Sequence, residues 1–281
     1  MGTCKEEGYF MMDKTTFIGI LIGLIALIGG FIWEGGHISG LWEATAALIV
    51  FGGTIAAVVI SFPMSRLRSL PQALRMAFRE QPRDLNRLVD DLVAMSLQAR
   101  REGVLALESS AQKHSHPFLR DGMMMVVDGT EPEVIQQMMD MEMDSVEQKH
   151  DGYAKIFEAA GGYAPTMGII GTVMGLIHVL GNLSDPSMLG PSIAVAFTAT
   201  LYGVVSANVI YLPIATKIKT RSALQIREME LIQLGILAIQ AADNPKIVRR
   251  KLSTFMQGED AYEALREVSE PKRGMNVEIQ K

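Results

Sequence analysis

The chain has 281 residues, a formal net charge of −5 and 48% apolar residues. That apolar share is high for a soluble domain, and it is concentrated in four stretches, as in a membrane protein. The mildly acidic charge, without a large basic face, argues against nucleic acid as a partner. The single cysteine, Cys4, excludes an intrachain disulfide. Met11 and Met12 are alternative starts, so it stays open whether residues 1–11 are native.

The four apolar stretches predict membrane-spanning helices. The first is short for a bilayer, at about 25 Å by helical rise. Its apolar core is nevertheless too long for a signal peptide, no small-residue cleavage site follows it, and a second apolar stretch comes at once. In chain order the predicted spans are Phe17 to Trp33, Leu41 to Phe62, Tyr163 to Leu180 and Ile193 to Ile214.

Basic residues are distributed unevenly around these spans. The two short connections, 34–40 and 184–191, hold no Lys or Arg. The positive-inside rule therefore places both connections outside the membrane, and it places both termini and the long middle segment in the cytoplasm. The basic residues that follow the second and fourth spans are Arg66, Arg68, Arg75, Arg79, Lys217, Lys219 and Arg221.

The middle segment has the apolar periodicity of amphipathic helices. Asp84 or Pro82 is expected to start one helix. Thr130 is expected to cap another helix, which runs past Gly152 without a breaker and into the third span. The prediction is thus an all-α membrane protein with a cytoplasmic N-terminus (1–16), spans one and two (17–62), a helical cytoplasmic domain (63–162), spans three and four (163–214), and C-terminal helices and tail (215–281).

The predicted spans lack the group that an ion carrier usually needs. No span has a charged residue in its interior, whereas a protonatable side chain near the midplane is the usual way to hold an ion there. Thr172 and Thr200 place hydroxyls at similar depth; the simpler reading is that each bonds a carbonyl of its own helix. Pro165 and Pro213, at the inner ends, mark either helix boundaries or hinges.

Motifs for other chemistry are absent from the sequence. There is no glycine-rich phosphate loop, no nucleophile elbow and no HExxH pattern, so an enzyme is not expected. His114 and His116 lack further ligands at a fitting spacing, so no metal site is predicted. No cofactor is expected either.

Three segments together point to a family. They are FGGTIAAVVISFP (51–63), ARREGVLALE (99–108) and the whole second hairpin, which starts YAPTMGIIGTVMGL (163–176) and ends TLYGVVSANVIYLPIA (200–215). From about residue 12 to 252 the chain closely resembles the A subunit of the bacterial flagellar motor stator, the MotA/PomA family. The wider superfamily includes the TolQ and ExbB energising proteins.

The resemblance implies an assembly in the bacterial inner membrane. Five A subunits would surround two MotB/PomB-type B subunits, each with an intramembrane aspartate and a peptidoglycan-binding domain. Transported Na⁺ or H⁺ would pass that aspartate and drive the motor. Residue by residue, the resemblance places the ion path at Thr172 and Thr200 and the conformational hinge at Pro165 and Pro213. The contact with the rotor switch protein FliG falls on Arg100 and Glu108.

Several alternatives remain open from the sequence. The resemblance favours sodium over protons, because sodium-type members of the family tend to have threonine at both ion-path positions; a hydroxyl can donate an oxygen to a hard cation. Arg101 competes with Arg100 for the rotor contact. A TolQ- or ExbB-like energiser is the alternative function, although four spans with the large loop after the second argue against it. A structural membrane scaffold without transport is the third reading.

Overall fold

The computed structural model describes residues 14–79, 84–181 and 186–256. Within these ranges the regular secondary structure is helical, in agreement with the predicted all-α class. The chain divides into two compact units. Unit 1 combines Met1–Pro82 with Ser145–Leu224, and unit 2 combines Arg83–Asp144 with Gln225–Lys281.

The helices follow the apolar pattern closely. Two short 3-10 segments, Ile38–Leu41 and Val104–Leu107, lie between them. Two π-helical stretches, Leu48–Gly52 and Ser206–Tyr211, interrupt the longer helices. In chain order the helices are α1 (Lys14–Trp33), α2 (Ala44–Ser61), α3 (Met64–Leu67), α4 (Leu70–Phe78), α5 (Leu85–Glu102), α6 (Glu108–Gln112), α7 (Pro117–Val127), α8 (Pro132–Gly181), α9 (Pro186–Val205), α10 (Leu212–Gln240) and α11 (245–256).

Three helices of the described chain are long and apolar enough to cross a membrane. They are α2, α8, and the continuous helix Ser192–Gln240 formed by α9 and α10. Helix α1 carries a shorter apolar stretch, Ile18–Trp33. The predicted spans therefore coincide with helices, except that the second helix runs from Ala44 to Ser61 and not from Leu41 to Phe62. The number of helices that cross the bilayer stays a prediction. The domain boundaries predicted from the sequence concern membrane crossing, which the two compact units do not test.

Unit 1 has an apolar core outside the predicted spans. Helix α4 contributes Ala73 and Ala77, which pack against Tyr153 and Phe157 of α8 and Ile218 of α10. The Tyr153 hydroxyl donates a hydrogen bond of 2.8 Å to Gln72 Oε1. Basic side chains also join these helices, because Lys219 pairs with Glu158 at 2.7 Å.

Helix α5 begins at one of the two residues that the sequence offers; the other, Pro82, lies outside the described residues. Asp84 is the N-cap of α5, and its side chain accepts a 2.9 Å hydrogen bond from the Arg87 N–H. Helix α8 starts at Pro132, so Glu131 and not Thr130 directly precedes it; the Thr130 carbonyl instead accepts a hydrogen bond from Gln240 Nε2. The helix then continues without a break to Gly181, through Gly152 and the third apolar stretch, as expected.

The core of unit 2 draws on α5, α7, α8, α10 and α11 and on the 3-10 segment Val104–Leu107. Glycines permit two of the closest contacts, since a Cβ at Gly122 would lie 2.7 Å from Ile236 and one at Gly235 would lie 2.7 Å from Leu92. Fully buried aliphatic and Met side chains fill the rest. The largest are Leu92, Leu107, Leu119, Met123, Ile135, Met139, Leu231, Ile232, Ile236 and Leu252.

Candidate ion-path site

Thr172 and Thr200 are in direct contact. Their hydroxyl oxygens share a short hydrogen bond that joins α8 to α9. Thr172 Oγ1 also lies 3.0 Å from the Ala196 carbonyl oxygen and 3.1 Å from the Gly168 carbonyl oxygen. The bond to Gly168 is the local one that the simpler reading predicts, and the other two cross to the neighbouring helix. The site therefore gathers two hydroxyl and two carbonyl oxygens.

Small residues bring the two helices together around this pair. A Cβ at Gly168 would lie 3.0 Å from the Ala199 carbonyl oxygen, and one at Gly175 would lie 3.0 Å from the Ala196 Cα. Any larger side chain here would hold the backbones apart, and the hydroxyls could no longer meet. Small residues at intervals of three and four are the usual basis of close helix packing in membranes.

Helix α2 packs against the same region from another direction. Ala46 and Val50 of α2 form a buried cluster with Ala199 of α9. A Cβ at Gly171 would lie 3.5 Å from Ile49 Cγ2, so α8 also approaches α2 closely. Thr54 of α2 is buried, and its hydroxyl donates a 2.6 Å hydrogen bond to the Val50 carbonyl of its own helix. That residue fits the packing reading better than the ion-path reading.

The oxygens of the site are all neutral. Hydroxyl and carbonyl oxygens can ligate a hard cation such as Na⁺, but they cannot compensate its charge or carry a proton at neutral pH. No carboxylate lies in the interior of the predicted spans, and the one within their bounds, Glu43, is the third residue of the second span. Among the described residues, no group of three or more His, Cys, Asp or Glu could hold a metal ion.

The two predicted hinge prolines lie inside helical segments. Pro165 is in the interior of α8, so it is not a helix boundary. Pro213 follows the π-helical stretch Ser206–Tyr211 directly after Leu212, whose backbone is helical. One turn before Pro165, a Cβ at Gly161 would lie 2.6 Å from Leu212 Cδ2. Because Gly161 and not Pro165 lies beside Leu212, the two prolines are offset by about one helical turn along these helices.

The predicted rotor-contact residues lie in unit 2 at a reversal of the chain. Helix α5 ends at Glu102, and Gly103 has a φ of +87°, a conformation that favours glycine. The Gln98 side chain stabilises the reversal with two hydrogen bonds. Its Nε2 donates to the Ala106 carbonyl at 3.0 Å, and its Oε1 accepts from the Ser110 hydroxyl at 2.9 Å. Arg100, Arg101 and Glu108 are all exposed.

Comparison with known proteins assigns the chain to a family. Residues 110–231 match the model of the MotA/TolQ/ExbB proton channel family, and residues 17–103 match that of the Motility protein A N-terminal region. Motility protein A of Bacillus subtilis is 37% identical over 250 residues, which cover 89% of this chain and 93% of the relative. Chemotaxis protein PomA of Vibrio alginolyticus is 32% identical, over 90% of this chain and 99% of the relative.

Comparison with solved structures gives the same family assignment. The flagellar MotAB stator complex from Bacillus subtilis has a chain 36% identical to this one, with a TM-score of 0.83 over 89% of this chain and 99% of that chain. The C. jejuni MotAB structure gives 30% identity and a TM-score of 0.82, over 87% and 96%. The chain belongs to the MotA/TolQ/ExbB proton channel family. The predicted resemblance to MotA and the function of a flagellar stator A subunit are thereby confirmed.

For this MotA relative, the sequence indicated the threonine pair but not what surrounds it. The small residues of α8 fall at Ala164, Gly168, Gly171 and Gly175, and those of α9 at Ala196, Ala199 and Gly203. Intervals of three and four in both stretches are a signal that could have identified the interface in advance. The contact of Tyr202 with the start of α2 has no such local signal, because 159 and 161 residues separate the partners.

Proposed function

We propose that this A subunit lets ions pass beside Thr172 and Thr200 and converts their passage into movement of its cytoplasmic part against the rotor. The observation that carries the proposal is the shared hydrogen bond between the two hydroxyls, together with the Ala196 and Gly168 carbonyls. Four oxygens at a tight helix interface form a polar path in an otherwise apolar bundle. A structural scaffold would also use such hydroxyls as an interhelical hydrogen bond, and the ion dependence measured below separates the two readings.

The carboxylate that balances the ion comes, in this proposal, from a MotB/PomB-type B subunit with an intramembrane aspartate. Two features support a separate partner. This chain has no acidic residue in the interior of its predicted spans, since Glu43 is only the third residue of the second span, and its solved relatives are MotAB complexes. We further propose the family arrangement of five A subunits around two B subunits, in the bacterial inner membrane with both termini in the cytoplasm.

Sodium is the coupling ion we propose, ahead of protons. Na⁺ requires several oxygen ligands at once, whereas a proton requires a single basic group. The hydroxyl pair and the two carbonyls can supply part of such a shell, and the B-subunit carboxylate would complete it. The proposed function is ion transport coupled to torque generation. It involves no cofactor and no enzymatic reaction.

The cytoplasmic side of the mechanism uses the other predicted residues. We propose that α8 and the α9–α10 helix bend at Pro165 and Pro213, where proline removes a backbone hydrogen bond from each helix.

Arg100 and Glu108 would contact FliG, with Arg101 as the competing arginine. Their exposure beside the reversal at Gly103 supports a role in binding. Pairs of this kind act mainly on specificity and association, and salt screens them.

The test is swimming speed in a stator-deleted host that expresses this chain with its B subunit, over a sodium series at constant proton-motive force. Speed that rises and saturates with sodium assigns Na⁺, and speed indifferent to sodium assigns protons. Thr172→Val removes the hydroxyl at nearly constant volume, and Thr172→Ser retains it. The valine variant should raise the half-saturating ion concentration by about tenfold or more, with the serine variant close to wild type.

Two results would refute the ion path as proposed. One is that neither Thr172→Val nor Thr200→Val changes the ion dependence of swimming speed, although each variant complex is present in the membrane at the wild-type amount. The other is an equal loss in Thr172→Val and Thr172→Ser, since that would make side-chain shape and not the hydroxyl responsible.

A further inference from the structure

Tyr202 joins the helix of the ion-path site to the start of another helix. It lies on α9 two residues after Thr200 and is half-buried. Its hydroxyl donates a hydrogen bond to the Leu41 carbonyl and accepts one of 3.1 Å from the Glu43 N–H. Both partners are backbone groups before α2: Leu41 is the last residue of the 3-10 segment Ile38–Leu41, and Glu43 directly precedes Ala44, where α2 begins.

These two backbone groups are not part of a helical hydrogen-bond ladder. Glu43 has extended backbone angles, with φ −129° and ψ 106°, and its side chain makes no capping hydrogen bond. A backbone N–H or C=O that is withdrawn from water without a partner is costly. A phenol hydroxyl is suited to this place, because it can donate to a carbonyl and accept from an amide at the same time.

The ring of Tyr202 makes a second contact with α2, further along the helix. It stacks on Phe51 with ring centroids 6.0 Å apart and an interplanar angle of 27°. It also packs against the buried cluster of Ala46, Val50 and Ala199. Tyr202 therefore contacts α2 at two positions along the helix axis, one at its start and one in its second turn. Two contacts along the axis restrict both sliding and rotation of α9 against α2.

Thr200 is on the same helix, about half a turn from Tyr202. A helix transmits a shift or rotation of one turn to the next almost rigidly, so any movement at Tyr202 also displaces the Thr200 hydroxyl. That hydroxyl has to meet Thr172 across an interface of small residues, where a Cβ at Gly168 would already lie 3.1 Å from the Thr200 Cα. The geometry at Thr200 thus depends on the axial position of α9.

We propose that Tyr202 is a positioning residue for the ion path: its hydroxyl, bound to the backbone at Leu41 and Glu43, sets the height and rotation at which α9 presents Thr200. The proposal rests on the assignment of Thr172 and Thr200 to the ion path. Tyr202 itself does not contact the ion. Loss of its hydroxyl should therefore weaken ion binding without preventing folding or assembly.

The test compares Tyr202→Phe with Tyr163→Phe in the complex with its B subunit. Tyr163 is a matched control, because its hydroxyl also joins two helices of unit 1, through a 2.8 Å hydrogen bond to Ser61 Oγ of α2. The first readout is hydrogen–deuterium exchange of the Glu43 amide in the purified complex. The second is the ion concentration at half-maximal swimming speed, over a sodium series and an external pH series.

Tyr202→Phe should speed exchange at Glu43 and raise the half-saturating ion concentration about three- to tenfold. Tyr163→Phe should alter neither. Faster exchange with an unchanged ion dependence would overturn the positioning role, since the contact would then be structural only. Unchanged exchange would overturn the contact itself.

The threonine variants separate this proposal from the one on which it rests. If Thr172→Val and Thr200→Val shift the ion dependence and Tyr202→Phe does not, the inference about Tyr202 is wrong and the ion path stands. If the threonine variants leave the ion dependence unchanged, the ion path itself is wrong, whatever Tyr202→Phe does.

Discussion

At the scale of single residues, glycines determine how closely α8 and α9 approach. A Cβ at Gly203 would lie 2.5 Å from the Ala164 carbonyl oxygen and 3.2 Å from the Gly168 Cα. These neighbours are backbone atoms, which cannot move aside as a side chain can. Gly203→Ala should therefore destabilise the complex by about 1–3 kcal/mol, measured as a lower midpoint of thermal unfolding in detergent.

Gly162 provides the matched control on α8. It is exposed, and a Cβ there meets no atom within 4 Å. Gly162→Ala should leave the unfolding midpoint unchanged or raise it slightly, because alanine has the higher helix propensity. Equal unfolding midpoints for Gly203→Ala and Gly162→Ala would contradict the close packing of α8 against α9.

At the scale of helices and loops, the reversal after α5 depends on one backbone conformation. Gly103 has φ +87° and ψ 163°, a region that is essentially restricted to glycine. Gly103→Ala should cost about 1–3 kcal/mol of folding free energy and displace the segment that carries Glu108. The expected result is reduced swimming with a normal amount of membrane-bound complex. Ser109→Ala, at an exposed position of α6, should swim like wild type.

The joint between α9 and α10 combines a π-helical stretch with a proline. Pro213 cannot donate the backbone hydrogen bond that would continue the helix after Ser206–Tyr211. Pro213→Ala restores that donor, so the helix should become stiffer. We expect a higher unfolding midpoint together with slower swimming, and this combination distinguishes a hinge from a residue needed only for stability.

Thr216→Ala is the control for the proline variant. Thr216 is exposed on α10 less than one turn after Pro213, and its hydroxyl donates a 3.0 Å hydrogen bond to the Leu212 carbonyl of its own helix. It should change swimming speed little. A Pro213→Ala strain that swims at wild-type speed would exclude bending at this proline from the motor stroke.

At the scale of the whole molecule, the number of membrane crossings is the property to test. Cys4 is the only cysteine, so Cys4→Ser provides a cysteine-free background. Four crossings predict that His37→Cys reacts with a membrane-impermeant maleimide in intact cells and that Ser109→Cys reacts only after permeabilisation. Both residues are exposed. Labelling of Ser109→Cys in intact cells, or of His37→Cys only after permeabilisation, would contradict the predicted topology.

Much of the architecture could be predicted because its signals are local. Apolar runs long enough for a bilayer, basic residues after Phe62 and Ile214, and a capping aspartate at Asp84 each act within a few residues of chain. The start of α8 was predicted less well: Thr130 has cap chemistry, but Pro132 suits the first helical position and Glu131 precedes it. Resemblance to a family, and not pattern alone, indicated Arg100 and Glu108.

By itself, the sequence determined the all-α class, the long helix from Pro132 through the third apolar stretch, and the absence of a carboxylate in the interior of the predicted spans. Only the tertiary structure decided that the Thr172 and Thr200 hydroxyls meet, and that Tyr202 binds the backbone at Leu41 and Glu43. The reason is physical: helix formation and apolarity depend on neighbours along the chain. Contacts across 28 or 161 residues depend instead on how closely small residues allow separate helices to pack.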